Sequence, residues 1–247
     1  MTDYYSIKDA DTGQPEIHID GPIQMDESIL AWLLGRPEQT ATGIRSDIKR
    51  MDGKDITVWI NSPGGECCAA SVIYTALREH RGKVTVKVDG SAISAASVIA
   101  MAGDEVLMSP TSVMMIHNPM TSVDGDAREM QKAIDILQQV KDNIINAYAK
   151  KCKKTRQEIA DLMDAETWMG ANKAVEMGFA DGVLYADKAG EPTNAAVAAA
   201  RSVYNRLEHP EHFNIVEAIR DTELPDMPVS FEQDRAAALL AIEYARI

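Results

Sequence analysis

Three kinds of residue pattern are missing from this chain of 247 residues, and each absence removes a class of function. Clustered cations are the first. Lys and Arg number 25 against 38 Asp and Glu, a net charge of −13, and no basic patch interleaved with aromatics is visible. Phosphate backbones are held by grouped Lys and Arg, so nucleic-acid binding is not expected. The short basic run Lys150, Lys151, Lys153, Lys154 falls on a helical pattern and reads as a solvated face. Cysteine is the second. Cys67, Cys68 and Cys152 are the whole set; two are adjacent, which is poor disulfide geometry, and none has metal-ligand spacing. A reducing compartment, with no metal and no cofactor, is the expectation. The third is a long apolar run. Nothing approaches the ~20 residues of a membrane span, and Met1 to Ser6 is not followed by the apolar core of a signal peptide. A cytoplasmic protein without a membrane partner is expected. Internal repeats are also lacking.

What is present is an ordinary globular composition, 45% hydrophobic and 26% charged. Residues 1–15 are polar and broken by Gly13 and Pro15, and read as a flexible arm. Residues 17–19 alternate as a strand. Residues 29–34 read as a helix start before Gly35 and Pro37, and residues 38–50 carry Ile44 and Ile48 at helical spacing. Ile56–Ile60 is a β-branched, aromatic strand that runs into Asn61-Ser-Pro-Gly-Gly65. A helical pattern from Ala69 to Leu77, a strand from Val84 to Val88, a helix from Ser97 to Met101 and a strand from Ser112 to Ile116 follow. This alternation predicts an α/β fold of βαβ units around a parallel sheet, with the site beyond the strand ends.

A long helix is predicted from Asp126 to Ala149, with apolar positions Met130, Ile134, Leu137, Val140, Ile144 and Ala147. A second spans Arg156–Met163 behind the capping box Thr155/Glu158. A short helix covers Ala171–Met177, and a strand-like piece covers Phe179–Tyr185. Composition shifts after Tyr185 to an alanine run and prolines at 210, 225 and 228, then an amphipathic pattern from Phe231 to Tyr244. The expected organisation is an arm over 1–15, a core domain over 16–185 and a partly disordered C-terminal extension over 186–247 with a terminal helix.

The chemistry collects at two turns and one strand end. Gly64-Gly65 follows a strand, but GxGxxG spacing and a Walker lysine are absent, which leaves an oxyanion-binding turn or a plain turn. Ser91, Ser94 and Ser97 start a helix, either capping it or offering a nucleophile. Of the five histidines, His117 stands at a predicted strand end within the βα core. A serine on such a turn and a histidine at a strand end are the parts of a nucleophile and its base.

Four blocks, Ile60-Asn-Ser-Pro-Gly-Gly65, Gly90-Ser-Ala-Ile-Ser94, Met115-Ile-His-Asn-Pro119 and Ala174-Val-Glu-Met-Gly-Phe-Ala-Asp181, resemble the signature blocks of the Clp protease proteolytic subunit family, in that family's order. The resemblance spans residues 16–185. It implies a ClpP/crotonase-like α/β fold with a long handle helix, a serine endopeptidase, a polypeptide substrate and a ring-shaped homo-oligomer. Carried over by position, it makes Ser94 the nucleophile, His117 the base, and the backbone N–H groups of Gly65 and Ala95 the oxyanion donors. The family's aspartate is replaced here by Glu166, two residues before Trp168, with Asp164 as the competing acid. Ala96 stands where the family has glycine.

The acidic extension after Tyr185 makes the chain similar to phage head maturation (prohead) proteases, which act on scaffold and capsid precursors. A housekeeping subunit working with an ATP-dependent unfoldase is the alternative. A crotonase-type acyl-CoA enzyme and an inactive ring scaffold are the remaining rivals.

Overall fold

Valine and isoleucine at alternate positions dominate the central strands, and those side chains are buried in the core of a largely parallel sheet. A computed structural model describes residues 14–26 and 40–185. In it β1 (Glu16–Asp20), β2 (Ile56–Ser62) and β3 (Val84–Ile93) lie side by side, followed by β4 (Glu105–Met108) and β7 (Gly182–Val183). These neighbours are all parallel. Ile56, Val58, Ile60, Val86 and Val88 are completely buried. α1 (Ala41–Arg50) and α2 (Cys67–Glu79) pack on them through Ile44, Ile48, Ala69, Ile73 and Leu77. α3 (Ala95–Ala100) contributes Ile99 to the same core.

The sheet forks at β3, and the fork positions everything that follows. Thr85–Val88 pair with β4, but Ser91–Ile93 pair with β5 (Val113–Ile116). β5 in turn pairs antiparallel with β6 (Thr167–Gly170). The sequence pattern ends this strand at Gly90; the strand instead runs on to Ile93. At Gly90 a Cβ would meet the Asn61 side chain at 2.3 Å, so glycine lets β3 pass β2 where the register shifts. β4 and β6 are short strands the sequence pattern did not single out, because four residues carry too little alternation. α3 begins at Ala95, two residues before the predicted start.

α4 (Ala127–Lys151) is the predicted long helix, capped by Asp126 through the N–H groups of Arg128 and Glu129. Its apolar stripe is only partly used. Ile145, Ala147 and Tyr148 are buried, whereas Met130 and Ile134 are 40% and 58% exposed. Tyr148 sits edge-on to Phe179 at 5.6 Å. α5 (Arg156–Asp164) starts at the predicted capping box: Glu158 N–H donates to Thr155 Oγ1 at 3.2 Å, and Thr155 N–H to Glu158 Oε2 at 2.8 Å. α6 (Ala171–Met177) ends at Gly178 in the left-handed conformation. Among the described residues no helix is long and apolar enough to cross a membrane. The expected helix over 29–34, most of the arm and the whole C-terminal extension lie outside the described residues.

Candidate active site

Ser94 terminates β3 and caps α3 with φ 55° and ψ −123°, a conformation that residues with a Cβ rarely adopt. Neighbouring bonds hold it there. Ser94 N–H donates to Met115 O at 2.9 Å, and Ser94 O accepts from Ser97 N–H at 3.0 Å and from Ser97 Oγ–H at 2.5 Å. The effect is a sharp strand-to-helix turn that lifts the Ser94 side chain off the sheet, the geometry of a nucleophile elbow. Small residues on either side, Ala92 and Ala96, are fully buried and leave room for the turn.

The other two serines are occupied. Ser97 is fully buried, and its Oγ also lies 2.8 Å from the Tyr148 hydroxyl. Ser91 Oγ donates weakly toward Asn61 and Ser62 O at 3.3 Å. Of the three candidates, Ser94 alone faces the histidine.

β5 lies beside the end of β3, and its last residue, Ile116, delivers His117 to that serine. His117 Nε2 is 2.6 Å from Ser94 Oγ. With Ser94 donating to Nε2, the remaining ring proton sits on Nδ1. Burial pushes the His117 pKa below the ordinary 6.5, and the Glu166 carboxylate works in the opposite direction. The ring is therefore neutral at pH 7 and able to accept a proton.

The β5–β6 pairing brings a candidate acid near the histidine. The ladder ends with Ile116 opposite Thr167, and His117 and Glu166 are the residues immediately beyond that last pair on their two strands. Glu166 has a positive φ of 49°, and its Oε1 accepts from Trp168 Nε1 at 2.9 Å. Trp168 packs on Ile93 and Met115, the residues flanking the elbow. Asp164 is engaged elsewhere: its Oδ1 accepts from Asn118 Nδ2 at 2.8 Å and from Lys141 Nζ at 2.5 Å. Those partners hold its carboxyl below the usual range.

The glycine turn closes the site from β2. Gly64 and Gly65 have φ +97° and +145°, and a Cβ on Gly64 would fall 2.7 Å from Ser94 Cβ and 3.1 Å from the Ala95 nitrogen. Only glycine permits that backbone and that approach. On Gly65 a Cβ would strike Ile23 O, because Ile23 N–H donates to Gly64 O and Glu66 N–H to Ile23 O. Ala95 N–H belongs to the first turn of α3, where no intrahelical acceptor exists. Among the described residues neither it nor Gly65 N–H meets a backbone acceptor.

A cavity of about 310 Å³ opens beside Ser94 and His117. Its walls come from α2 and α4, including Tyr74, Val98 of α3, Val140, Ile144 and Ala147. The sequence pattern placed no part of α2 or α4 at the site. It also did not foresee the roles of Tyr148, Trp168, Asn118 and Lys141, which follow from packing; only the spacing of Trp168 from Glu166 hinted at one of them.

A model of the family described as Clp protease matches residues 37–187, more than half of the chain. The chain belongs to the Clp protease family. The ATP-dependent Clp protease proteolytic subunit of Bacteroides fragilis is 31% identical over 153 residues, 60% of this chain and 74% of the relative. That of Porphyromonas gingivalis is 30% identical over 153 residues, 60% of this chain and 69% of the relative. Subunit 1 of Chlamydia muridarum is 31% identical over 137 residues, covering 54% and 71%. As a Clp protease the chain is a peptidase, a hydrolase of peptide bonds, and the mixed α/β sheet is that family's fold. Ser94, His117, Glu166 and the glycine turn all fall inside the matched region.

Proposed function

We propose that this Clp protease is a serine endopeptidase in which Ser94 is the nucleophile, His117 the general base and Glu166 the third member of the triad. The 2.6 Å contact between His117 Nε2 and Ser94 Oγ, made at a strained strand-to-helix turn, carries the reading. His117 takes the hydroxyl proton as Ser94 Oγ attacks the scissile carbonyl carbon, then returns it to the leaving amine. Glu166 offsets the charge of the transient imidazolium. The Gly65 and Ala95 N–H groups receive the developing oxyanion, a type of contact that contributes about 3–4 kcal/mol per donor in well-formed sites. Water then hydrolyses the acyl-enzyme by the same route. No cofactor enters these steps. The substrate is a polypeptide in extended form, with one side chain in the cavity.

For the biological setting, residues 188–247 continue beyond the family match, and this acidic extension supports a head maturation protease that trims scaffold or capsid precursors within a ring-shaped homo-oligomer. The printed name of the relatives, ATP-dependent Clp protease proteolytic subunit, supports a second setting, a subunit fed by an unfoldase. Co-expression separates the two: processing of a capsid or scaffold precursor without ATP favours the first, and ATP-dependent degradation only with an unfoldase favours the second.

Fluorophosphonate labelling of the full chain tests the peptidase reading. Wild type and Ser97→Ala label, whereas Ser94→Ala does not. Labelling that survives Ser94→Ala would overturn the assignment.

A further inference from the structure

The mechanism leaves two nucleophilic groups at the site unused. Cys67 and Cys68 open α2 and both line the cavity that holds Ser94 and His117. They are free thiols in unequal surroundings. Cys67 is partly buried and near enough to the Tyr148 hydroxyl to act on it electrostatically. Burial, and secondarily its neighbour Cys68, pushes the Cys67 thiol up, so it stays protonated and a poor nucleophile. Cys68, one residue further along the helix, is exposed. Any group joined to it is tethered at the wall of a cavity of about 310 Å³, near the lower limit of roughly 300 Å³ for small-molecule sites. A tripeptide-sized substituent and a substrate side chain do not fit there together.

Charge indicates which substituent suits the cavity. Among the described residues Lys150, itself exposed, is the one permanently charged side chain lining it, and no carboxylate does. Lys150 makes no ion pair among the described residues. A thiol compound that carries carboxylates is attracted there, whereas a cationic one is not.

We propose that Cys68 is a thiol–disulfide exchange site for a small anionic disulfide of the glutathione disulfide class, and that the adduct fills the cavity and excludes substrate from Ser94. The Cys68 thiolate attacks one sulfur of the disulfide, a Cys68–S–S–R bond forms, and the other half leaves as thiolate. No further oxidant is required, and a free thiol reverses the step. Modification and filling of the cavity need no assumption about Ser94; the loss of activity rests on the peptidase reading.

The test treats the full chain with glutathione disulfide and maps the adduct by peptide mass. Two measurements follow: fluorophosphonate labelling of Ser94, and carbethoxylation of His117 by diethyl pyrocarbonate, which reports access without catalysis. The expected result is an adduct at Cys68, loss of both reactions, and recovery of both with dithiothreitol. In Cys68→Ser the same treatment changes neither reaction relative to the untreated variant. An adduct that maps to Cys67 or Cys152, no adduct at all, or a Cys68 adduct that leaves His117 reactive overturns the proposal. If untreated wild type does not label, the peptidase reading fails, and His117 carbethoxylation still decides the cavity.

Discussion

Ser94 holds a backbone conformation that disfavours a side-chain-bearing residue by about 1–3 kcal/mol, and three hydrogen bonds from β5 and α3 keep it there. The neighbouring carboxylates differ as sharply as the serines do. Glu166 acts on His117, whereas Asp164 accepts from Asn118 and Lys141. Glu166→Gln is therefore expected to lower kcat by roughly 10⁴-fold, as for the orienting acid of other triads. Asp164→Asn, at an exposed ion pair, stays within about tenfold of wild type. The pH profile separates them further. Burial sets His117 below 6.5 while Glu166 raises it, so the acid limb of kcat/KM in wild type falls below that value. Removing the Glu166 charge moves the limb to still lower pH, and Asp164→Asn does not. An NMR titration of the ring reads the same shift directly. Stability follows the same sign. The unfolded chain binds the His117 proton at higher pH than the folded one, so this group favours unfolding increasingly as pH falls from about 6.5 toward its depressed native value.

At the scale of elements, the site is built where three connections meet: the glycine turn after β2, the elbow between β3 and α3, and the end of the β5–β6 ladder. The first two touch. Gly64→Ala would place a methyl 2.6 Å from Ile93 O and 2.7 Å from Ser94 Cβ at a φ of +97°. Strain of this kind is worth about 1–3 kcal/mol, so the variant is expected to show a lowered urea midpoint together with weakened fluorophosphonate labelling. A variant that loses labelling with an unchanged midpoint would place the turn's contribution in the donor geometry alone. The Asn118–Asp164–Lys141 contacts belong to this scale too, because they join the residue after His117 to α5 and to α4.

For the whole molecule, the stripe on the N-terminal half of α4 is the feature that the other described residues leave uncovered. Met130 and Ile134 are exposed on a helix whose C-terminal end is anchored through Tyr148. Burying such side chains is worth ~1.5–3 kcal/mol each, and a ring-forming homo-oligomer would cover them. Ile134→Glu is expected to shift the assembly to smaller species in light scattering at unchanged helix content. An unaltered mass would assign the contact between subunits to another surface.

The sequence by itself determined the elements with strong local signals: β-branched strands, the capping box at Thr155, the long periodic helix and the glycine turn are each set by residues near one another in the chain. It also supplied the candidates: Ser94, His117 and Gly65 stand in blocks that resemble one family, Ala95 follows one of them, and Glu166 was placed by its spacing from Trp168. Tertiary structure alone gives the neighbours different partners. Ser97 is taken by Tyr148, fifty-one residues away, and Asp164 is taken by Lys141 from another helix. The fork at β3 and the pairing of β5 with β6 bring His117 to Ser94 and within electrostatic reach of Glu166, although neither β6 nor β4 has enough residues to declare itself. The cavity, with its two thiols and its lysine, is formed by helices whose own patterns report only which face is apolar. Distance, burial and the competition for hydrogen-bond partners are properties of the folded chain, and those are what distinguish a serine that can attack from one that can only pack.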